Sequence, residues 1–468
     1  MSNSFGPRAT KKKQPFFLSG AIVVLIILLV GAIFHLKSSH QHNQVQHVNR
    51  HVTGILSVQN WVTPEGLRVY FVPSPELPMV DMQLAFDAGS ARDTTLLGLA
   101  QLTNTLIGQG SKYKAADEIA EKLESLGAQF SSETRRDLAV MNLRSLTAKR
   151  YLDPALDLLK EVLETPSFND DNITREKARL ISEIQSSLEK PDAVAKRAFY
   201  LTIYQNHPYA NPIQGEEETV ARIAAKDIMQ FYTQHYNAKN AVLAIVGDLD
   251  LEKAQAVAAE ISEALPKGAE LAALPAVPDL RQSVQYQVEF PSSQTHIMQG
   301  APALRRDDSD YYNLYVGNHI LGGGSLVSQL FDKVRERRGL VYDVHSYFLP
   351  LREQGPFIIG LQSRNEEVKE ALAVVEETLR DFVKNGPSED ELAAAKKNIT
   401  GSFNLQFSSN RTIVGQLAML GFYKLPLDYF DTFRDKINDV TKEEIRGAFN
   451  KHVHPDSMAT VMVGPAPK

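Results

Sequence analysis

Residues 223–247, IAAKDIMQFYTQHYNAKNAVLAIVG, align without a gap on residues 440–464, VTKEEIRGAFNKHVHPDSMATVMVG, at a constant offset of 217 positions. In this alignment His235 meets His452, and Val246-Gly247 meets Val463-Gly464. Both stretches combine helical periodicity with a short apolar strand. They predict that one structural unit occurs twice in the chain. Chance similarity of two helix-loop-strand elements is the alternative explanation.

A second internal match supports the duplication. Gly108-Gln-Gly-Ser111 matches Gly322-Gly-Gly-Ser325 at an offset of 214 positions. Between them lies a segment rich in Ala, Pro and Leu, which is typical of an extended linker. We therefore predict an N-terminal domain at 55–265, a linker at 266–280 and a C-terminal domain at 281–468.

Hydrophobic periodicity predicts the elements around these matches. Alternating apolar residues predict two strands, Leu67–Phe71 and Val80–Phe86, joined by a turn at Pro73–Pro78. Apolar residues three and four apart predict helices at Ala116–Leu126, Tyr151–Leu163, Arg175–Leu188, Asp192–Ile203 and Ala225–His235. Further strands are predicted at Ala241–Val246, Val284–Phe290, His296–Gly300 and Met458–Val463.

Composition limits the function. The 468 residues are 43% hydrophobic, enough for two ordinary domains. The formal net charge is −6, and no long basic stretch follows the N-terminus, so we expect no nucleic-acid partner. The chain contains no cysteine, which excludes disulfides, thiolate nucleophiles and Cys-type zinc sites.

The N-terminus predicts a membrane anchor. The apolar run from Phe16 to Phe34 has 19 residues and would span roughly 28 Å as a helix, against about 30 Å for a bilayer core. We place the anchor at 16–36, and its length disfavours a cleaved signal peptide. Basic residues precede the run, so residues 1–15 are predicted to be a cytoplasmic tail. The protein would then be a single-pass inner-membrane protein with its bulk in the periplasm.

Residues 37–54 are predicted to be a solvated linker. This tract contains several histidines and could chelate metal loosely. Its polar composition is explained more simply by a solvated linker next to the membrane. We assign it no role. Its histidines, with the one just before it, are His35, His40, His42, His47 and His51.

Several motifs resemble the pitrilysin, insulinase and mitochondrial processing peptidase family, peptidase family M16. They are residues 98–111, GLAQLTNTLIGQGS; 116–127, ADEIAEKLESLG; 207–215, HPYANPIQG; 240–248, NAVLAIVGD; 321–325, LGGGS; and 335–342, RERRGLVY. The resemblance extends from about residue 55 to the end. It implies an α+β fold of two homologous domains, each a mostly antiparallel sheet packed by helices.

The family's zinc motif is altered here. Members of the family carry His-x-x-Glu-His on a helix, where two imidazoles hold zinc and the glutamate takes a proton from the metal-bound water. The matching positions are Gln101, Asn104 and Thr105. An amide and a hydroxyl are poor zinc ligands, and an asparagine cannot act as a general base. We therefore expect no cofactor bound by this chain.

Two glutamates match the family's remaining acidic positions. The resemblance places the third zinc ligand at Glu183 and a supporting carboxylate at Glu176. Without the imidazoles we expect both to be vestigial and to bind no metal. Two glutamates seven residues apart would also share one helix face for solvation alone.

The C-terminal half keeps the spacing of another family feature. In the family an arginine and a tyrosine hold a substrate carbonyl near the zinc, and Arg335 and Tyr342 match them. Both side chains are donors suited to polarising an amide oxygen; a structural arginine and tyrosine are the alternative. Gly322, Gly323 and Gly324 would permit close approach of a peptide backbone, although a tight turn explains them equally well.

The resemblance implies a two-chain peptidase. Some family members divide the work between a chain with the zinc motif and a partner with the Arg/Tyr pair, and this sequence resembles the partner. We expect an inactive subunit of a zinc metalloendopeptidase, with zinc in the partner and peptides as substrates. The alternative is a peptide-binding or scaffolding subunit with no part in cleavage. A hydrolase with another nucleophile finds little support, since there is no cysteine and no Gly-x-Ser-x-Gly elbow.

Overall fold

The first sheet lies in the N-terminal half and has seven strands. The structure is a computed structural model that describes residues 49–51 and 54–466. The strands are β1 Asn49–His51, β2 Val58–Val62, β3 Arg68–Pro73, β4 Met79–Phe86, β5 Gln129–Thr134, β6 Ala139–Leu146 and β7 Ala241–Gly247. Their order across the sheet is β1-β2-β3-β7-β4-β6-β5. Every residue of β7 is buried, as expected for an apolar strand at the centre of a sheet.

The second sheet lies in the C-terminal half and has five strands. They are β8 Val284–Glu289, β9 Gln294–Leu304, β10 Val341–Phe348, β11 Gly355–Arg364 and β12 Ala459–Gly464. Their order is β10-β11-β9-β12-β8. The sheet is mixed: β12 runs parallel to β8, and the other neighbours are antiparallel.

The two sheets share one topology. The order β3-β7-β4-β6-β5 in the first matches β8-β12-β9-β11-β10 in the second. In each, the first strand pairs in parallel with the last, and the remaining pairs are antiparallel. β1 and β2 extend only the first sheet. The predicted duplication is therefore confirmed.

One local prediction differs from the structure. The strands at β3 and β4 are confirmed, but they are not neighbours, because β7 pairs with both. The chain leaves β3 through the proline-containing turn and skips one position in the sheet. That position is later filled by the most apolar strand of the half, which gains most from burial on both faces.

Helices cover both sheets. Those of the first half are α1 Leu99–Ile107, α2 Ala116–Ser125, α3 Lys149–Glu164, α4 Asp170–Leu188, α5 Pro191–Tyr204, α6 Glu217–Arg222, α7 Ala225–His235 and α8 Leu251–Ala264. Those of the second half are α9 Tyr311–Asn318, α10 Val368–Asn385, α11 Glu389–Ser402, α12 Asn410–Phe422, α13 Phe433–Asp439 and α14 Lys442–His452. The helices predicted from periodicity are confirmed to within two residues at each end, except that α4 begins at Asp170, five residues before its predicted start at Arg175.

One helix of each half packs on the sheet of the other half. α5 packs on β9 and β12, and Phe199 lies in one apolar cluster with Val461 of β12 and Ile358 of the neighbouring β11. α12 packs on β7 and β4, where Leu417 joins Val242. This exchange covers central strands of each sheet and helps to explain why the described chain from residue 54 onward forms one compact unit.

The predicted membrane segment cannot be compared with the structure. The tail at 1–15, the anchor at 16–36 and most of the linker at 37–54 lie outside the described residues. Among the residues that are described, no helix combines the length and apolar character needed to cross a bilayer. Residues between α8 and β8 form no regular secondary structure, and the domain boundaries stay predictions.

Candidate functional site

Helix α1 carries the altered zinc motif. It starts after Gly98, whose φ of 90° lies in the left-handed region that glycine favours. The Asp93 carboxylate accepts hydrogen bonds from the Gly98 and Ala100 amides, each at 2.8 Å. Burial raises the pKa of Asp93 to about 7, against the lowering effect of these two bonds. The helix is thus anchored at its N-terminus inside the domain.

The three motif positions make neutral hydrogen bonds. Gln101 Nε2 donates to Thr105 Oγ1 at 3.2 Å. Asn104 is buried, and its Nδ2 donates to the Glu133 carbonyl at 2.9 Å and to Thr134 Oγ1 at 3.2 Å. The amide therefore ties α1 to the edge strand β5. These side chains do not fit a zinc site, because they offer no imidazole, carboxylate or base.

Glu176 and Glu183 share an arginine. Glu176 on α4 is buried, and its carboxylate contacts Arg179 Nε at 2.8 Å and Arg175 Nε at 3.3 Å. The same Arg179 guanidinium also forms an ion pair with Glu183. Arg179 lies between the two carboxylates and supplies positive charge from within the chain. The spacing of three and four residues could have indicated this bridge from sequence.

One cluster in the second half has the composition of a metal site. Within residues 49–51 and 54–466, the group of three potential ligands is Asp308, Asp310 and His452, which includes none of the predicted site residues. His452 Nδ1 lies 3.2 Å from the Ala303 carbonyl and Nε2 lies 2.9 Å from Asp310. Both ring nitrogens thus face acceptors, and Lys451 also contacts Asp310. His452, Asp310 and Lys451 thus already form a polar network with one another.

The structure brings Arg335 and Tyr342 together. Arg335 lies on the π-helical turn Phe331–Glu336, and Tyr342 is at the start of β10. The guanidinium carbon is 4.9 Å from the Tyr342 ring centroid and 4.7 Å from that of Phe331. Tyr342 is 70% exposed. No carboxylate of the described residues pairs with Arg335, so both side chains can donate hydrogen bonds to a ligand.

The glycine loop is required for close packing. A Cβ on Gly322 would lie 2.4 Å from Ser346 Oγ and 2.6 Å from the Ser346 backbone nitrogen. One on Gly323 would lie 2.6 Å from Asn318 Nδ2, and one on Gly324 would lie 2.6 Å from the His319 carbonyl. None of the three has a positive φ. The close approach seen here is therefore to the chain's own strand and turn, and contact with a peptide stays a prediction.

Sequence reasoning missed the counterpart of Asn104. The offset of 214 places Asn104 opposite Asn318 at the end of α9. Asn318 Nδ2 donates to the Ser346 carbonyl at 3.0 Å, and Ser346 Oγ donates to Asn318 Oδ1 at 2.7 Å. In both halves an asparagine amide therefore binds the edge strand. The internal alignment could have found this pair.

A second missed feature is a polar network between the halves. Buried Asp137 accepts hydrogen bonds from Tyr209 Oη at 2.5 Å, Tyr423 Oη at 3.0 Å and the Arg352 amide at 2.8 Å. The Arg352 side chain also pairs with Asp87. Burial raises the pKa of Asp137, although its three donors favour the carboxylate. The network joins the halves by contacts that no local pattern reveals.

Both halves of the chain match models of known protein families. Residues 68–217 match the insulinase (peptidase family M16) model, and residues 222–399 match the peptidase M16 inactive domain model. A crystal structure of a peptidase M16 inactive domain from Pseudomonas fluorescens is 40% identical, covering 88% of this chain and 99% of that one, with a TM-score of 0.85. The chain belongs to peptidase family M16. The α+β two-domain fold that the resemblance implied is thereby confirmed.

Relatives in this family carry different descriptions. A non-peptidase homolog, YmxG, of Helicobacter pylori is 26% identical and spans 94% of this chain and 98% of its own. An uncharacterized zinc protease of Streptomyces coelicolor is 25% identical and spans 84% of this chain and 86% of its own. The inactive-domain description concerns residues 222–399, whereas the altered motif lies in the range matched by the insulinase model. The M16 family therefore includes relatives described as zinc proteases and relatives described as non-peptidases. Whether this chain is catalytic must be judged from its own residues.

Proposed function

We propose that this M16 chain is the non-catalytic subunit of a heteromeric zinc metalloendopeptidase. In the proposal, a partner chain with His-x-x-Glu-His holds the zinc, and this chain supplies Arg335 and Tyr342 to the substrate. The observation that carries the proposal is the contrast between the two halves. The Asn104 amide is hydrogen-bonded to β5. Arg335 and Tyr342 instead contact each other, and their N–H and O–H groups stay available to a ligand.

The proposed role of the pair is to hold a peptide carbonyl. Arg335 has no carboxylate partner among the described residues, and Tyr342 is exposed beside it. As an amide is attacked, its oxygen gains negative charge, and preorganised N–H and O–H donors stabilise that charge. This chain would orient the substrate, while the partner supplies the zinc chemistry.

A sheet edge offers the complementary backbone contacts. β5 and β10 are the outer strands on the matching side of the two sheets. Tyr342 lies on β10, so a peptide paired with that edge would run past the phenol. Backbone hydrogen bonds would give affinity without strict sequence preference. The predicted anchor would hold this assembly at the periplasmic face of the inner membrane.

The test is cleavage by a reconstituted pair. The full-length chain, solubilised in mild detergent, is mixed with a zinc-motif relative from the same organism, and peptide cleavage is followed for wild type, Arg335→Ala and Tyr342→Phe. Arg337→Ala and Tyr286→Phe serve as matched controls, because both residues are exposed and lie outside the pair. Selective loss with the first two variants supports shared catalysis. Unchanged cleavage rejects it and favours the scaffolding alternative.

A further inference from the structure

A cavity lies where the two halves and the linker meet. Its volume is about 260 Å³, and none of the predicted site residues lines it. The first half contributes Arg68 at the start of β3, and the linker contributes Leu271–Ala273. The second half contributes residues 305–307, Arg352 and residues 422–424. We call this space the junction cavity.

The junction cavity has an excess of positive charge. Six basic side chains line it against three acidic ones, Asp87, Glu270 and Asp307. Three of the basic side chains have acidic partners. Arg305 pairs with Asp307 and Glu353, Arg352 pairs with Asp87, and Lys424 lies 3.8 Å from Glu270. These pairs leave Arg68, Arg306 and the exposed Lys239.

Arg68 and Arg306 are partly buried without a carboxylate partner. Arg68 Nη1 donates to the Gly421 carbonyl at 2.7 Å, and in the described part of the chain no carboxylate oxygen lies within 4.0 Å of either guanidinium. Burial lowers the pKa of Arg68, and Arg352 adds to this, whereas Tyr70 and the more distant carboxylates of Glu270 and Asp87 oppose it. Taking a cation out of water without a counter-charge is costly.

Arg306 satisfies only part of its hydrogen-bonding capacity. Its Nη2 donates to Tyr429 Oη at 3.2 Å and contacts Met419 Sδ at 3.1 Å. The guanidinium carbon lies 4.9 Å from the Tyr311 ring centroid, a cation–π distance. Its Nε is buried and has no acceptor within the described structure. Aromatic contact lowers the cost of the charge but leaves this N–H donor unused.

We propose that the junction cavity binds a small oxyanion, a carboxylate or a phosphate, through Arg68 and Arg306. A planar guanidinium matches both groups through two parallel N–H donors. A bound oxyanion would offset part of the surplus charge and join β3 of the first half to the segment before α9 of the second. The site is independent of the proposed peptidase role, because it uses neither Arg335 nor Tyr342.

The experiment is calorimetric titration of the full-length protein. Inorganic phosphate and acetate are the two probes, each compared with chloride at equal ionic strength. We expect saturable binding of at least one probe, and its Kd should rise about tenfold or more in Arg68→Gln and in Arg306→Gln, since each removes a charge-assisted hydrogen bond. The probe that binds more tightly identifies the oxyanion.

Arg305→Gln is the matched control. Arg305 lines the same cavity but is already paired with carboxylates, so its loss should change Kd by less than about twofold. Absence of saturable binding for both probes overturns the proposal, as does equal weakening in the control. If Arg306→Gln does not fold, Arg68→Gln and Arg306→Lys are titrated instead. The lysine keeps the charge but loses the two parallel N–H donors, so its Kd should also rise.

Discussion

The two halves of the molecule share a strand order and a helix-to-strand asparagine, but they differ in which polar groups are free. In the first half, Asn104 binds β5, and Arg179 bridges Glu176 and Glu183. In the second, Asn318 binds Ser346 in the same way, but Arg335 and Tyr342 stay available. The difference teaches that the zinc-motif helix of this M16 chain has acquired the structural role of its counterpart in the other half.

The largest expected effect is on cleavage by the reconstituted pair. Arg335→Ala with Tyr342→Phe should lower kcat/KM by about 10² or more, the usual loss when donors to a developing oxyanion are removed. Gln101→Ala with Thr105→Ala should change it by less than about threefold, because these residues only bond each other. Equal losses in both double variants would contradict the division of roles between the halves.

The next effect is on stability. Asn104→Ala and Asn318→Ala should each lower the free energy of unfolding by ~1–3 kcal/mol, because each leaves strand acceptors that are partly or fully buried without a donor. Urea denaturation of the full-length protein measures this. Gln101→Ala is the control and should cost less than about 1 kcal/mol. An Asn104→Ala variant as stable as wild type would show that the amide is not structural.

The matched glycines sharpen the comparison further. A Cβ at Gly322 would meet the Ser346 backbone nitrogen at 2.6 Å, whereas the three atoms nearest to one at Gly108 all belong to the Phe130 ring, the first at 2.5 Å. A backbone atom cannot move away as a ring can. Gly322→Ala should therefore cost ~1–3 kcal/mol, and Gly108→Ala should cost less, by the same denaturation assay. The reverse order would contradict the close-packing account of the loop.

The last effect concerns the dependence of stability on pH. Because burial raises the pKa of Asp93 to about 7, the folded state binds this proton more tightly than the unfolded state. The contribution of Asp93 to stability is fully present below its unfolded pKa and is lost as pH rises through about 7. The stability difference between wild type and Asp93→Asn should thus fall by about 2–3 kcal/mol between pH 5 and pH 8. A difference that is flat or rises with pH would contradict a raised pKa.

Local patterns predicted much of the fold. Helix periodicity in α4 and α7 and the apolar run of β7 depend on neighbouring residues, so their positions could be read from the chain. The insertion of β7 between β3 and β4, and the packing of α5 and α12 on opposite sheets, depend on contacts far apart in sequence. No single-sequence pattern encodes those contacts.

The candidate site likewise contains some contacts that the sequence predicts and others that only the fold reveals. The seven-residue spacing of Arg335 and Tyr342, with the family resemblance, was enough to predict a pair that the structure places in contact. The bonds of Asn104 to β5 could not be foreseen from the motif alone, because they require the position of a strand about 30 residues away. The junction cavity needs both halves and the linker.

The most direct test of the central claim is zinc content and peptide cleavage of the purified full-length chain, alone and with a zinc-motif relative. The account predicts no stoichiometric zinc and no cleavage by the chain alone, and new or enhanced cleavage in the mixture. Stoichiometric zinc together with cleavage by the isolated chain would contradict it, and would mean that ligands other than residues 101, 104 and 105 hold the metal.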